Sequence, residues 1–179
     1  MNVLIFCSAQ NVPEKYTKDA ADLATLLAQN GHTLVWGGSN VGTMKVIADA
    51  AQAAGGKIVG ISMEFFAHKA RENADEMIIA KDLGERKREM LKRADAIVVL
   101  AGGIGTLDEA TEMLALKRHG DHTKHVIFLD TDGFYDGLKI QLERMGRDGF
   151  LENLDGDVVR GKLVEFAHTP EEAMQYLAS

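Results

Sequence analysis

Residues 94–119 read ADAIVVLAGGIGTLDEATEMLALKRH, and this stretch decides the fold. An apolar run, Ala96 to Leu100, stops abruptly at Ala101-Gly102-Gly103-Ile104-Gly105-Thr106, and a helical pattern with acidic residues in its first turn follows. Buried strand, glycine-rich turn and helix N-terminus together describe a phosphate cradle. Glycine lets the backbone approach an anion closely, and the free N–H groups of the first helical turn point toward it.

Working outward, the same alternation of strand and helix fills the chain. Apolar runs at Val3–Cys7, Thr33–Trp36, Lys57–Ile61, Met77–Ala80 and His125–Leu129 read as further short buried strands. Helical patterns separate them at Glu14–Gln29, Thr43–Ala54, Glu85–Arg93, Leu107–Arg118 and Gly133–Met145. A last strand, Lys162–Phe166, precedes a helix with Thr169 as N-cap, Pro170 at its first position and Glu172 at its third. Continuous apolar strands alternating with helices predict a parallel sheet covered on both faces, a three-layer, Rossmann-like, doubly wound α/β fold. Ligands of such folds lie beyond the carboxyl ends of the strands. No repeat or linker divides residues 1–179, so one nucleotide-binding domain is expected. The least regular stretch is Ser62–Asp75, which reads as a lid over a pocket or as a long connection.

Composition narrows the function. The 179 residues are 46% hydrophobic and 26% charged, with a net charge of −7. That acidity argues against a nucleic-acid partner and requires any phosphate site to be built locally. The one cysteine, Cys7, excludes an intramolecular disulfide framework and a cysteine zinc cluster. The opening MNVLIFCSA lacks a basic leader and reads as the first strand, and no apolar run is long enough for a membrane span. A cytoplasmic protein is expected.

Three turns after strands attract attention: Cys7-Ser8-Ala9-Gln10-Asn11, Gly37-Gly38-Ser39-Asn40-Val41-Gly42-Thr43, and Gly102 to Thr106. Converging on one sheet edge, they suit a ligand of nucleotide size. None is a dinucleotide fingerprint or a P-loop, so a mononucleotide fits better than a nicotinamide cofactor or ATP. The six histidines lack metal-ligand spacing, and neither metal nor cofactor is expected.

Two side chains carry candidate chemistry. Glu109 has two readings. Thr106-Leu107-Asp108-Glu109 has capping-box spacing, with Glu109 as the residue that reaches back to the cap. Alternatively its carboxylate faces the sugar of a bound nucleotide and assists glycosidic cleavage, which passes through an oxocarbenium-like state. Arg86, in Leu83-Gly84-Glu85-Arg86-Lys87, is either part of a solvated basic face or a bidentate clamp on phosphate. Lys87 reads as exposed or structural from its neighbours, and Met44, Met90 and Met113 read as core filler. Tyr135 reads as packing or as a pocket wall.

Ala101 to Glu109 resembles the PGGxGTxxE signature of the LOG (Lonely Guy) family, nucleoside-5′-monophosphate phosphoribohydrolases that activate cytokinins and are often described as lysine decarboxylases. Arg86-Lys87 with Met90 is similar to its RKxxM element, and Gly37-Gly38 with Gly42 and Met44 to its GGGxxGLMG loop. Phe6-Cys7 with Tyr16 and Ala20-Ala21, and Asp132 to Tyr135 with Gly149-Phe150, extend the resemblance from residue 3 to about residue 151. It implies a homodimer that hydrolyses the N-glycosidic bond of AMP or cytokinin riboside monophosphates to free base and ribose 5-phosphate. It implies that Arg86 and Glu109 are catalytic, and that Gly102, Gly103, Gly105 and Thr106 hold the phosphate, with Ser8, Gly38 and Lys87 also on the substrate. Ala101, Ser39, Thr43 and Lys45 depart from the signatures, and Leu83 stands where methionine often does. The alternative is a molybdenum-cofactor carrier of the same superfamily, which binds a phosphorylated ligand without cleaving it. A pyridoxal-phosphate decarboxylase has no supporting lysine context.

Overall fold

The structure, a computed structural model, describes residues 1–151 and 163–179. Seven strands, β1 (Asn2–Phe6), β2 (Thr33–Trp36), β3 (Ile58–Met63), β4 (Glu76–Ala80), β5 (Ala96–Val99), β6 (Val126–Leu129) and β7 (Glu165–Ala167), form one sheet in the order β4-β3-β2-β1-β5-β6-β7. Every pairing is parallel. The expected doubly wound α/β fold is therefore the observed one. Of the strand expected at Lys162–Phe166, Lys162 lies outside the described residues; β7 starts at Glu165 and runs one residue further.

Period-two alternation along the strands builds two cores. Val3, Ile5, Leu34, Trp36 and Val98 point to one face. Helices α1 (Glu14–Gln29), α2 (Gly42–Ala53) and α6 (Pro170–Leu177) cover it. Leu4, Phe6, Val35, Ile97 and Val99 point to the other, which is covered by α3 (Leu83–Arg93), α4 (Ile104–His119) and α5 (Asp136–Arg147). A strand buried on both sides reads as a continuous apolar run, which is why β1 and β5 show no polar alternation. Trp36, the one tryptophan, is fully buried, and its indole N–H donates to the Ser39 carbonyl at 3.4 Å.

The chain winds from β1 outward through β2, β3 and β4, then returns to β5 beside β1. The switch point thus lies between β1 and β5, and the turns after β1, β2 and β5 converge on its carboxyl side. Gly42 makes the first two turns fit. Its φ of +55° belongs to the left-handed region, and a Cβ there would lie 2.4 Å from the Ala9 carbonyl carbon. The Met44 N–H donates to the Ser8 carbonyl in the same contact.

Several boundaries differ from expectation for local reasons. Helix α3 starts at Leu83, two residues early, because Asp82 caps it by accepting from the Glu85 N–H at 2.8 Å while the Glu85 carboxylate accepts from the Lys81 N–H. Helix α5 starts at Asp136 instead of Gly133, because Asp132 and Gly133 both have positive φ. The stretch Ser62–Asp75 is a fastened strap. It extends β3 through Met63, makes a 3-10 turn over Glu64–Lys69 and bridges Ala70 to Ser39 in antiparallel fashion. Among the described residues, no helix is long and apolar enough to cross a membrane.

Replacing Gly42 with alanine is expected to lower stability by about 2 kcal/mol or more, from left-handed strain plus the clash with Ala9. A lower midpoint of urea unfolding at unchanged slope checks this.

Candidate active site

A cleft of about 480 Å³ opens at the β1/β5 switch point. Its walls come from the turn after β1, the turn after β2, the strap, the first turn of α3 and the first turns of α4.

Arg86 is placed by α3, whose Asp82–Glu85 cap sets the helix so that its fourth residue faces inward. Only 8% of Arg86 is exposed, so it is no part of a solvated basic face. Its Nε donates to the Ile61 carbonyl at 2.9 Å and its Nη1 to Glu109 Oε1 at 2.8 Å. Gly37 gives it room, since a Cβ at that position would stand 2.5 Å from Arg86 Nη2.

Glu109 is placed by α4, and here the capping-box reading fails. The helix starts at Ile104 with Gly103 as N-cap, so Thr106 is its third residue and Glu109 its sixth. No acidic residue occupies the first turn. The carboxylate is 8% exposed and reaches across to Arg86. Burial raises its pKa above the ordinary 4.5, with the Arg86 guanidinium opposing the rise. Taking a charge into a low-dielectric site penalises the ionised form, and an adjacent opposite charge restores part of it.

The early start of α4 leaves its first turn open toward the cleft. The first backbone bond of the helix is Leu107 N–H to the Gly103 carbonyl, so the N–H groups of Ile104, Gly105 and Thr106 precede the ladder. Nothing stands within 4 Å of a Cβ built on Gly103 or Gly105, whereas one on Gly102 would lie 2.2 Å from Thr106 Oγ1. Gly102 is thus required behind the cleft by Thr106, which folds back against it, while Gly103, Gly105 and Thr106 line the opening.

The remaining expected residues divide. Ser8 lines the cleft and its hydroxyl accepts from the Gln10 N–H at 3.0 Å. Gly38 does not line it. With φ +75° it packs toward Ser62 and Met77 and lets its carbonyl receive the Arg71 N–H. Lys87 reaches the rim, but its ammonium is held by Asp108 at 3.1 Å and by Glu112 on α4. Tyr135 is a packing residue, its hydroxyl donating to the Leu100 carbonyl at 2.7 Å. Met90 and Met113 are core, as expected, but Met44 lines the cleft.

Sequence reasoning missed Gly37, Met44, Phe66 and Lys69 on the walls. Gly37 was legible as half of a glycine pair; Phe66 and Lys69 have no motif to announce them. Cys7 also faces the cleft, and burial reinforced by Glu109 pushes its thiol well above the ordinary range, against Arg86, so it stays protonated. Among the described residues, no group of three or more His, Cys, Asp or Glu is arranged to hold a metal ion.

The fold and the cleft define a Rossmann-like α/β protein with a buried arginine–carboxylate pair at the sheet's switch point. The chain belongs to the LOG family: the family described as "Possible lysine decarboxylase" matches residues 44–177. A protein of Mycobacterium tuberculosis named cytokinin riboside 5′-monophosphate phosphoribohydrolase is 36% identical over 151 residues, 83% of this chain and 81% of that one. Its namesake in Mycobacterium marinum is 34% identical over the same shares. Among solved structures, the molybdenum cofactor binding protein of Rippkaea orientalis matches with a TM-score of 0.69 at 24% identity, covering 99% of this chain and 93% of that one. The molybdenum cofactor carrier protein of Chlamydomonas reinhardtii gives 0.71 at 21%, covering 99% and 98%. At these identities the structural likeness is one of fold.

Removing one member of the buried pair strands the other. Arg86→Met alone is expected to cost about 3–5 kcal/mol, and Arg86→Met with Glu109→Gln distinctly less than the sum of the single changes. Urea unfolding of the four proteins of the cycle measures the difference.

Proposed function

We propose that this protein is a phosphoribohydrolase that cleaves the N-glycosidic bond of nucleoside 5′-monophosphates, AMP or N6-substituted AMP among them, to free base and ribose 5-phosphate. The observation that carries the reading is the buried Arg86–Glu109 pair lying beside the open first turn of α4. The names borne by the mycobacterial relatives support the same chemistry.

In this reading the 5′-phosphate sits on the N–H groups of Gly105 and Thr106, at the positive end of the helix dipole. That position brings the sugar toward Glu109, one turn further along α4. As the C1′–N bond lengthens, positive charge grows on the sugar, and an anionic carboxylate stabilises it. Water adds its oxygen to C1′, Glu109 takes the proton that water loses, and the departing base gains one, so the net change is addition of one water. Arg86 orients the carboxylate and limits the rise of its pKa. The Cys7 thiol, held neutral, takes no part as a nucleophile. Lys87 ties α3 to α4 through Asp108 and Glu112. The reading also holds the protein to be a cytoplasmic homodimer.

Incubation with a panel of nucleoside 5′-monophosphates is expected to liberate free base. Glu109→Gln should lower kcat by about 10²–10⁴-fold, measured at a temperature where circular dichroism shows the variant folded. Binding of nucleotide without base release from any monophosphate would make the protein a carrier and overturn the proposal.

A pH profile offers a second check. Because the working form is the carboxylate and burial raises its pKa, kcat/KM should fall with decreasing pH through an acid limb centred above 4.5. A limb at or below 4.5 would assign the titration to a group in water.

A further inference from the structure

The charges lining the cleft do not all remain available to a ligand. Five charged side chains line it: Lys69, Arg86, Lys87, Asp108 and Glu109. Arg86 is committed to Glu109 and to the Ile61 carbonyl. Lys87 is committed to Asp108 and Glu112. Among the described residues, only the Lys69 ammonium of these cations enters no ion pair. A dianionic phosphate entering a protein of net charge −7 gains little from cations already neutralised, and Lys69, an exposed residue that lines both this cleft and the neighbouring hollow beside Asn40 and Glu72, is the cleft cation left without a carboxylate partner.

Lys69 is also held in an unusual way, fixed at its backbone and free at its tip. Its carbonyl accepts from the Asn40 N–H at 2.8 Å, the next residue bridges to Ser39, and the Arg71 N–H donates to the Gly38 carbonyl at 2.9 Å. Arg71, 7% exposed, clamps this arrangement to α2. Its Nη1 donates to Asn40 Oδ1 at 3.0 Å and to Asp49 Oδ1 at 2.7 Å, while Nε and Nη2 donate to Gln52 Oε1 at 3.1 and 2.6 Å. One buried guanidinium thereby joins the strap, the turn after β2 and α2. A connection that merely links two strands has no need of a clamp with four hydrogen bonds. A wall that presents one side chain to a ligand does.

We propose that Lys69 is a substrate-binding residue that contacts the ligand's phosphate from the strap, opposite the first turn of α4, and that Arg71 is the positioning residue that holds it there. The proposal rests on the phosphoribohydrolase reading for the identity of the ligand, and it adds a second anion contact, a side chain of the strap, to the fixed amides of α4. It also makes the strap a determinant of affinity for phosphorylated ligands.

Ribose 5-phosphate is the probe, since every monophosphate substrate yields it whatever the base. Calorimetric titration of the unmodified protein at two salt concentrations gives its Kd. Lys69→Met is expected to raise that Kd by roughly tenfold or more and to flatten its salt dependence, with thermal unfolding unchanged. Lys69→Arg should retain tight binding. Arg71→Met should weaken binding when Lys69 is present and have little further effect when Lys69 is methionine, a non-additivity that general loosening of the fold would not produce. Unchanged Kd and salt dependence in Lys69→Met, or no binding of ribose 5-phosphate by the unmodified protein, overturns the proposal. The two readings fail separately: ribose 5-phosphate binding that depends on Lys69 without base release defeats hydrolysis alone, and base release with an unaltered KM in Lys69→Met defeats Lys69 alone.

Discussion

The constraint on which the cleft depends is that a carboxylate and a guanidinium, each about nine-tenths buried, must meet at 2.8 Å across the gap between two helices. Neither charge is tolerable there without the other. Helix α3 must enter at an angle that turns Arg86 inward, which the Asp82–Glu85 cap ensures. Helix α4 must begin early enough for its sixth residue to face β1 and β5, which Gly103 permits. The residue that follows strand β2 must lack a side chain, because Gly37 shares its space with the guanidinium. The glycines of this chain are therefore distributed around one ion pair as much as around any ligand.

The parallel sheet supplies the rest of the arrangement. Its order reverses between β1 and β5, so three turns from distant parts of the chain are brought side by side without any long loop. Their mutual fit is tight at Gly42 and open at Gly103 and Gly105. The closed contacts fix the walls; the open ones leave space where a ligand's atoms can approach the backbone. Gly102 and Gly38 are sterically required away from the cleft surface, Gly103 and Gly105 are open and line it, and Gly37 does both, lining the cleft while leaving room for Arg86.

Much of this was legible in the sequence, and what was not has identifiable causes. The strands were readable because each is buried on both faces and so appears as an unbroken apolar run. Helices α1 and α6 were readable from periodicity and from the Thr169-Pro170 start. Two capping signals misled in opposite directions. Thr106-x-x-Glu109 has the spacing of a capping box and is none, because the glycines before it let the helix begin three residues sooner. Asp82 does cap its helix, accepting from the Glu85 N–H while the Glu85 carboxylate accepts from the Lys81 N–H, so the helix begins two residues before the expected Glu85. The strap was open in the sequence to reading as a lid or as a connection; it does line the cleft, but its fastening was not readable, since Lys69 and Arg71 act through contacts with Asn40, Asp49 and Gln52 that no local pattern encodes. Lys87 carried a family signature but is occupied by two carboxylates on the neighbouring helix, a tertiary fact.

The hydrogen bond from Trp36 to the Ser39 carbonyl has an optical meaning. The chain holds a single indole, wholly excluded from solvent, and its one polar contact is with the backbone of the turn that also receives the strap. Emission excited at the red edge of the indole band, where the three tyrosines do not absorb, therefore originates at one known point, a few residues from the cleft. Any displacement of that turn alters the dipole against which the excited indole relaxes. The molecule carries its own spectroscopic gauge of the wall that faces the ligand.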